Sequence, residues 1–348
     1  MTLDLVFSDL DVEMKEYDFN LLTDEEWESY FIHFEKISRE RFPSYPLMDR
    51  DLRKQFLTVN DPNLTTHRML IFDRTKPVIN RCIGYAYIGY VHQKSNNYEA
   101  NKHFAEIHIT LDKEYRRKGI ATGIFNLFGD FTRSLGRSRL MVWTVTDTGK
   151  LTCESFNGEL THKHYSNKSE IKELDWQMID DWIEEGRKKA VGVTLERYNE
   201  IPEDDIEEYA RVYTEVENQA PDGSSGRIAV TPEHIRIGEK RAKDIGTTIT
   251  VIISREEDGV ISGLTEIMYN PRESDKIQQE LTGVLEKYRG RGLGKWLKAE
   301  MLVHIRSTYP DVTYISTGNA MENAPMLSIN NRLGFKPQNV WHVYEFDL

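Results

Sequence analysis

At 348 residues, 39% hydrophobic and 29% charged, the chain has the length of about two ordinary domains and enough apolar residues to give each a core. Lys and Arg number 45 against 57 Asp and Glu; the resulting charge of −12 argues against a general nucleic-acid or membrane-surface role and weakly favours a cationic substrate. Cys82 and Cys153 make neither a disulfide framework nor a metal set, no apolar run reaches the ~20 residues of a membrane helix, and Met1-Thr2-Leu3-Asp4-Leu5 lacks the features of a secretion signal, so the expectation is a soluble cytoplasmic protein.

Residues 5–7 begin a strand. Thr23-Asp24-Glu25-Glu26 is a capping box that opens a helix through Trp27, Tyr30, Phe31, Phe34 and Ile37, ended by Arg41-Phe42-Pro43. A shorter helix is expected over residues 49–57, then strands at 69–72, 81–91 and 105–111, the last alternating at period two. Tyr115-Arg116-Arg117-Lys118-Gly119-Ile120-Ala121 leads into an apolar helix through Ile124, Phe125, Leu127, Phe128 and Phe131, with a strand at 140–143. Residues 174–193 carry Trp176, Ile179, Trp182 and Ile183 at helical spacing, with Gly192 as a stop, and are the expected boundary between halves. Beyond it a strand restarts at 193–195. A helix over 202–214 and a polar loop at 219–226 follow, the loop being of the kind that edges a substrate site. Thr231-Pro232-Glu233 starts a helix to Ile245, and strands are expected at 248–254 and 263–269.

The most informative stretch comes next. A short apolar strand at 281–285 meets a hinge, Glu286-Lys287-Tyr288, then Arg289-Gly290-Arg291-Gly292-Leu293-Gly294, then an amphipathic helix from Lys295 to Ile305. Glycines let backbone amides approach an anion, and the helix start adds partial positive charge, a combination suited to a pyrophosphate. A strand at Tyr314-Ile315-Ser316, a helix opened by Asn323-Ala324-Pro325-Met326 and a closing Leu333-Gly334-Phe335 complete the segment. Arg116-x-x-Gly119-x-Ala121 repeats the spacing of Arg289-x-x-Gly292-x-Gly294 at an offset of 173 residues, about half the chain, which points to two copies of one fold. The glycine spacing is not the G-x-G-x-x-G of a dinucleotide fold.

Loop, strand, Asn-initiated helix and Gly-Phe in this order resemble the GNAT acetyltransferase family, and the two-copy layout resembles that of the mycothiol synthase group. The resemblance implies an α/β chain with a mixed sheet, built as two tandem GNAT folds over residues 1–186 and 187–348. It implies acetyl-CoA as co-substrate, with no metal, and transfer of acetyl to the primary amine of a small molecule by direct attack in a ternary complex. By resemblance, Val284 and Leu285 line the pantetheine arm; Arg289, Gly290, Arg291, Gly292, Leu293 and Gly294 hold the pyrophosphate through main-chain amides; the side chains of Arg291 and Lys295 add charge or are simply solvated. Asn323 either meets the cofactor or only caps its helix.

Counting at period two from Val284 puts Thr282, Glu280 and Gln278 on one face, and makes Glu280 the candidate general base; the alternative is a strand-end carboxylate facing solvent. Glu266 on the preceding strand is a second candidate, and His304 reads as packing. Many family members place a tyrosine four residues before the closing Gly-Phe to protonate the departing thiolate. Here that position is Asn330, which offers a hydrogen bond but no acidic proton. In the first copy, Ile109, Ile107 and Ala105 form an apolar face without a base, and residues 148–158 read as a decayed counterpart of the later helix. That copy is expected to be a scaffold, with cofactor binding left open. A second reading of the whole chain is a non-catalytic acyl-CoA-binding or regulatory protein. No nucleic-acid or membrane partner is expected, and monomer and homodimer both stay open.

Overall fold

The computed structural model describes residues 2–219, 228–320 and 324–348. In chain order, the elements of the first half are β1 (Leu5–Phe7), β2 (Val12–Glu16), α1 (Asp24–Arg41), α2 (Arg50–Thr58), β3 (Leu64–Asp73), β4 (Cys82–Val91), α3 (Tyr98–Asn101), β5 (Phe104–Leu111), α4 (Ile120–Ser134), β6 (Arg139–Thr144), α5 (Asp147–Ser155) and β7 (Glu159–Glu170). The second half has α6 (Trp176–Lys189), β8 (Thr194–Tyr198), α7 (Ile206–Glu217), α8 (Pro232–Asp244), β9 (Thr248–Arg255), β10 (Ile261–Tyr269), β11 (Lys276–Val284), α9 (Leu293–Thr308), β12 (Tyr314–Ala320), α10 (Ala324–Arg332) and β13 (Lys336–Asp347). Helix starts follow local chemistry: Thr23 and Glu26 form the capping box of α1, and Asp49 caps α2 through the amide of Leu52. No described helix is long and apolar enough to cross a membrane.

The chain divides into two compact units, Met1–His162 with His342–Leu348, and Lys163–Trp341. In the first, β1 to β6 follow in order and residues 342–347 of β13 pair antiparallel with β6; β5 and β6 are the parallel pair. In the second, the order is β8-β9-β10-β11-β12-β7, with β11 and β12 parallel and residues 164–170 of β7 closing the edge antiparallel to β12. The first unit therefore takes its last strand from the end of the chain, beyond the whole of the second unit in sequence.

The division expected at residues 186 and 187 falls inside α6. Ile179, Trp182 and Ile183 of that helix are buried in one cluster with Trp296, Leu297 and Leu302 of α9. Gly186 marks the closest approach of the two helices: a Cβ there would stand 2.6 Å from Trp296 Cβ and Cγ. The helix is part of the second unit's core and not a linker.

Each sheet has a helix layer on both faces. In the second unit, Ile252, Ile267, Ile277 and Val284 pack against α9, while Val251, Ile253, Leu264 and Leu285 pack against Tyr209, Val212 and Val216 of α7. In the first, Ile107 and Leu111 pack against Ile120, Ile124 and Phe128 of α4, and an aromatic cluster of Trp27, Tyr30, Phe31 and Tyr85 lies on the α1 side.

Candidate active site

The second unit opens along the pair that runs parallel. Pairing of β11 with β12 covers Lys276 to Gln279 and stops, so the following five residues of β11 have no neighbour on that side. The chain then turns through Gly290 and Gly292, at φ 81° and 83°, into α9. A Cβ at either glycine would meet nothing within 4 Å; they are required by backbone conformation alone, and open space lies beside both. The amides of Lys295 and Trp296 donate to the Gly292 carbonyl at 3.1 Å each, which leaves those of Leu293 and Gly294 as the outward donors of the helix start. Loop, open strand edge and helix N-terminus fit a pyrophosphate and its extended arm.

Both arginines of the motif are engaged within the protein. Arg289 Nε donates to the Val284 carbonyl at 3.2 Å, and its guanidinium also donates to Gln219 Oε1. Arg291 Nη1 donates to both carboxylate oxygens of Glu256 at 2.8 and 2.9 Å. Arg289 thus shapes the turn, while Lys295 stands 5.6 Å over the Trp182 ring. Of the expected loop, residue 219 is described and residues 220–226 lie outside the described residues, as does Asn323.

The period-two count across β11 fails at one place. Between Thr265 and Ile267 of β10 the register shifts, so that Thr282 and Gln279 are their partners and β11 holds one extra residue. Residues on either side of such a bulge change face. Val284 packs against α9, but Gly283 faces Val216 of α7, and Glu280 lies on that α7 side as well, next to Glu217 and Tyr213. Glu280 therefore does not share a face with Thr282 and Val284. It joins Glu266, which is 9% exposed and accepts from the Tyr209 hydroxyl at 3.3 Å. Burial, reinforced by the Glu280 charge, pushes the Glu266 carboxyl up to about 7, and burial with Glu217 beside it raises Glu280. A carboxyl whose pKa is raised towards neutrality, as that of Glu266 is, can take up and release a proton near pH 7.

On the other side, Asn330 of α10 is buried, and its Oδ1 accepts from Lys298 Nζ at 2.7 Å. Lys298 is 3% exposed, and burial lowers its pKa to about 7. The sequence reading missed Lys298, because a lysine within an amphipathic helix pattern reads as solvated. His304 bonds to Thr308 Oγ1 at 3.0 Å within its own helix and packs edge-on to Tyr309, in keeping with a packing role.

The first unit repeats the loop. Arg116 Nε donates to the Leu111 carbonyl at 2.9 Å, the counterpart of Arg289 and Val284 at the 173-residue offset. Gly119 (φ 82°) corresponds to Gly292, and Arg117 holds φ 60° where the second unit has Gly290. Pairing of β5 with β6 ends at Ile107, and a cavity of about 420 Å³ opens there, lined by Ile109, Arg116, Gly119, Trp143 and Thr152 among others. The apolar face expected of this strand is the one against α4. The opposite face carries Glu106, His108 and Thr110: Glu106 accepts from the Tyr87 hydroxyl, and His108 stacks on Tyr87 at 5.6 Å. Of residues 148–158, those up to Ser155 lie in a helix, α5, capped by Thr146, and the rest form the turn into β7.

No protein-family model matches the chain, and no curated protein does. Solved structures do. A tandem GNAT protein from the clavulanic acid biosynthesis pathway, solved without AcCoA, superposes with a TM-score of 0.75 at 16% identity, over 97% of this chain and 98% of that one. The chain has the tandem GNAT fold. A GCN5-related N-acetyltransferase from Sphaerobacter thermophilus matches at TM-score 0.64 and 12% identity over 97% and 96% of the two chains. The glucosamine N-acetyltransferase region of a fungal multi-domain GH3 beta-N-acetylglucosaminidase matches at 0.67 and 12%, over 99% of this chain and 39% of that one. At these identities the likeness is one of fold.

Proposed function

We propose that the second unit is an acyl-CoA-dependent N-acyltransferase acting on a small cationic amine. The observation that carries this reading is the pairing, across one open strand, of an amide-lined glycine turn with two neighbouring carboxyls, Glu266 buried and Glu280 half-buried. Acetyl-CoA held by residues 284–285 and 289–295 supplies an acyl thioester. An amine arrives protonated and attacks only as the free base; Glu280 and Glu266 accept its proton, and their negative charge favours a cation over a neutral acceptor. The GCN5-related and glucosamine N-acetyltransferase names of the structural neighbours agree with an amine acceptor. Lys298, whose pKa of about 7 lets it gain or lose a proton in the working range, holds one at Nζ beside Asn330. The Lys298–Asn330 pair takes the place of a phenolic acid on this side of the site.

The test is a screen of primary amines for amine-dependent release of thiol from acetyl-CoA, repeated with Glu280→Gln and Glu266→Gln. Each variant is expected to lose about 10²–10⁴-fold in kcat while still binding acetyl-CoA. Turnover at the native rate in the double variant would remove the carboxyl pair from the mechanism. Acetyl-CoA binding with no turnover on any amine would favour the non-catalytic reading instead.

A further inference from the structure

The first unit contains a constellation that the reading above does not use. His33, on α1, is 1% exposed, with Nδ1 2.6 Å from Asp112 Oδ1 and Nε2 2.9 Å from Thr110 Oγ1. Asp112 directly follows β5 and is itself buried; its second oxygen accepts from Lys36 Nζ at 2.7 Å. A carboxylate that accepts from Nδ1–H fixes the tautomer and leaves Nε2 as the acceptor for a hydroxyl. Burial holds the pKa of His33 below its ordinary value, which keeps a lone pair on Nε2, while the Asp112 carboxylate opposes the shift and favours the protonated ring. Thr110 lines the cavity, three residues beyond the point where β6 leaves β5. Its hydroxyl lies 3.2 Å from the Tyr85 carbonyl, and His33 Nε2 is the nearer acceptor.

The fold does not require this network. At the 173-residue offset, the second unit has Gly283 in the place of Thr110 and Leu285 in the place of Asp112. Burying an imidazole and a carboxylate costs desolvation that a packed apolar pair would not. A hydroxyl, a base within hydrogen-bond reach and a third group orienting the base is the arrangement of an activated nucleophile.

We propose that Thr110, His33 and Asp112 form a nucleophile, base and orienting group in the cavity wall of the first unit, and that Thr110 accepts an acyl group from an acyl thioester. Thr110 Oγ attacks the thioester carbonyl as its proton passes to His33 Nε2. The C–S bond breaks, the thiolate takes that proton and leaves as thiol, and the acyl group stays on Thr110 as an ester. Water or an amine then attacks the ester, giving its proton through His33 back to Thr110 Oγ. No oxidant or metal enters the balance. The first unit is on this account a second reaction centre, with Thr110 and His33 as catalytic residues and Asp112 as a positioning residue.

The experiment incubates the full chain with acetyl-CoA and, separately, with p-nitrophenyl acetate, quenches with acid, and measures intact mass and peptide maps. No amine is added, so the result is independent of turnover in the second unit. One acetyl group is expected on the peptide that contains Thr110, retained in Thr110→Ser and absent in Thr110→Val, which keeps the shape and loses only the hydroxyl. His33→Gln is expected to slow labelling by about 100-fold or more, with unfolding curves confirming that all three variants fold. Absence of an acetyl group on the native chain with both donors, or a label that survives in Thr110→Val, would overturn the proposal.

Discussion

Gly283→Ala is expected to damage the second unit more than any exposed glycine replacement would. An alanine Cβ there would lie 2.2 Å from Val216 Cγ1 and 3.3 Å from Val216 Cβ and Cγ2. Carbon atoms in contact sit about 3.5–4.0 Å apart, so something must move by more than about 1 Å. Val216 is 4% exposed and β-branched in a helix, where a single χ1 rotamer dominates, so it has no other place to turn. The strain therefore falls on the α7–β11 spacing, with an expected cost of about 1–3 kcal/mol, or a fall in Tm of roughly 2–12 °C for a unit of this size. Because α7 carries Tyr209, Tyr213 and Glu217 against Glu266 and Glu280, amine-dependent activity should fall with it. Urea unfolding of Gly283→Ala, Val216→Ala and the double variant checks the reasoning. The double variant should recover at least about 0.5 kcal/mol relative to the sum of the singles, since the methyl that clashes has been removed. Strict additivity, or a neutral Gly283→Ala, would refute the close approach.

Other outcomes follow from backbone strain and from buried charge. Arg117→Gly should stabilise the first unit by about 1 kcal/mol, because Arg117 holds a left-handed φ of 60° that glycine adopts freely, and Gly290→Ala should cost the second unit a similar amount; chemical denaturation of each variant measures both. Glu266 keeps its proton in the folded state up to about 7 and loses it near 4.5 when unfolded, so its contribution is fully present below 4.5 and is lost as pH rises towards 7. Lys298 acts in the opposite sense: the unfolded chain holds its proton up to 10.5 and the folded one only to about 7, so stability rises with pH across that window. The two limbs meet near pH 7, where stability should pass through a minimum. Glu266→Gln should flatten the acid limb and Lys298→Met the alkaline one, as read by urea midpoints across pH.

What the sequence made legible was mostly local. The glycine turn at residues 289–294, its repeat at 116–121, the Thr23 capping box and the alternating strand of residues 105–111 are short-range patterns with short-range causes, and the structure has all of them. Face assignment on β11 was not legible, since a single extra residue near Glu280 changes the face and leaves no mark in hydrophobicity. β7 escaped notice because Glu159–Glu170 is polar throughout most of its length; its partners in the sheet make it a strand, not its own pattern. The same holds for the unit boundary, which depends on strands supplied from distant sequence. His33 lies 77 residues from Thr110 and 79 from Asp112, so only the fold brings the three together. Lys298 looked like an ordinary helix-surface lysine until α10 covered it.

The central claim is that the glycine turn of the second unit holds the acyl donor for an amine. It is tested most directly by thiol release from acetyl-CoA, with and without an amine acceptor found in the screen, on the native chain and on Gly292→Trp and Gly119→Trp. The amine-dependent part of the release is expected to disappear in Gly292→Trp and to persist in Gly119→Trp. Amine-dependent release that survives Gly292→Trp and is lost in Gly119→Trp would place the transferase site in the first unit and contradict the account.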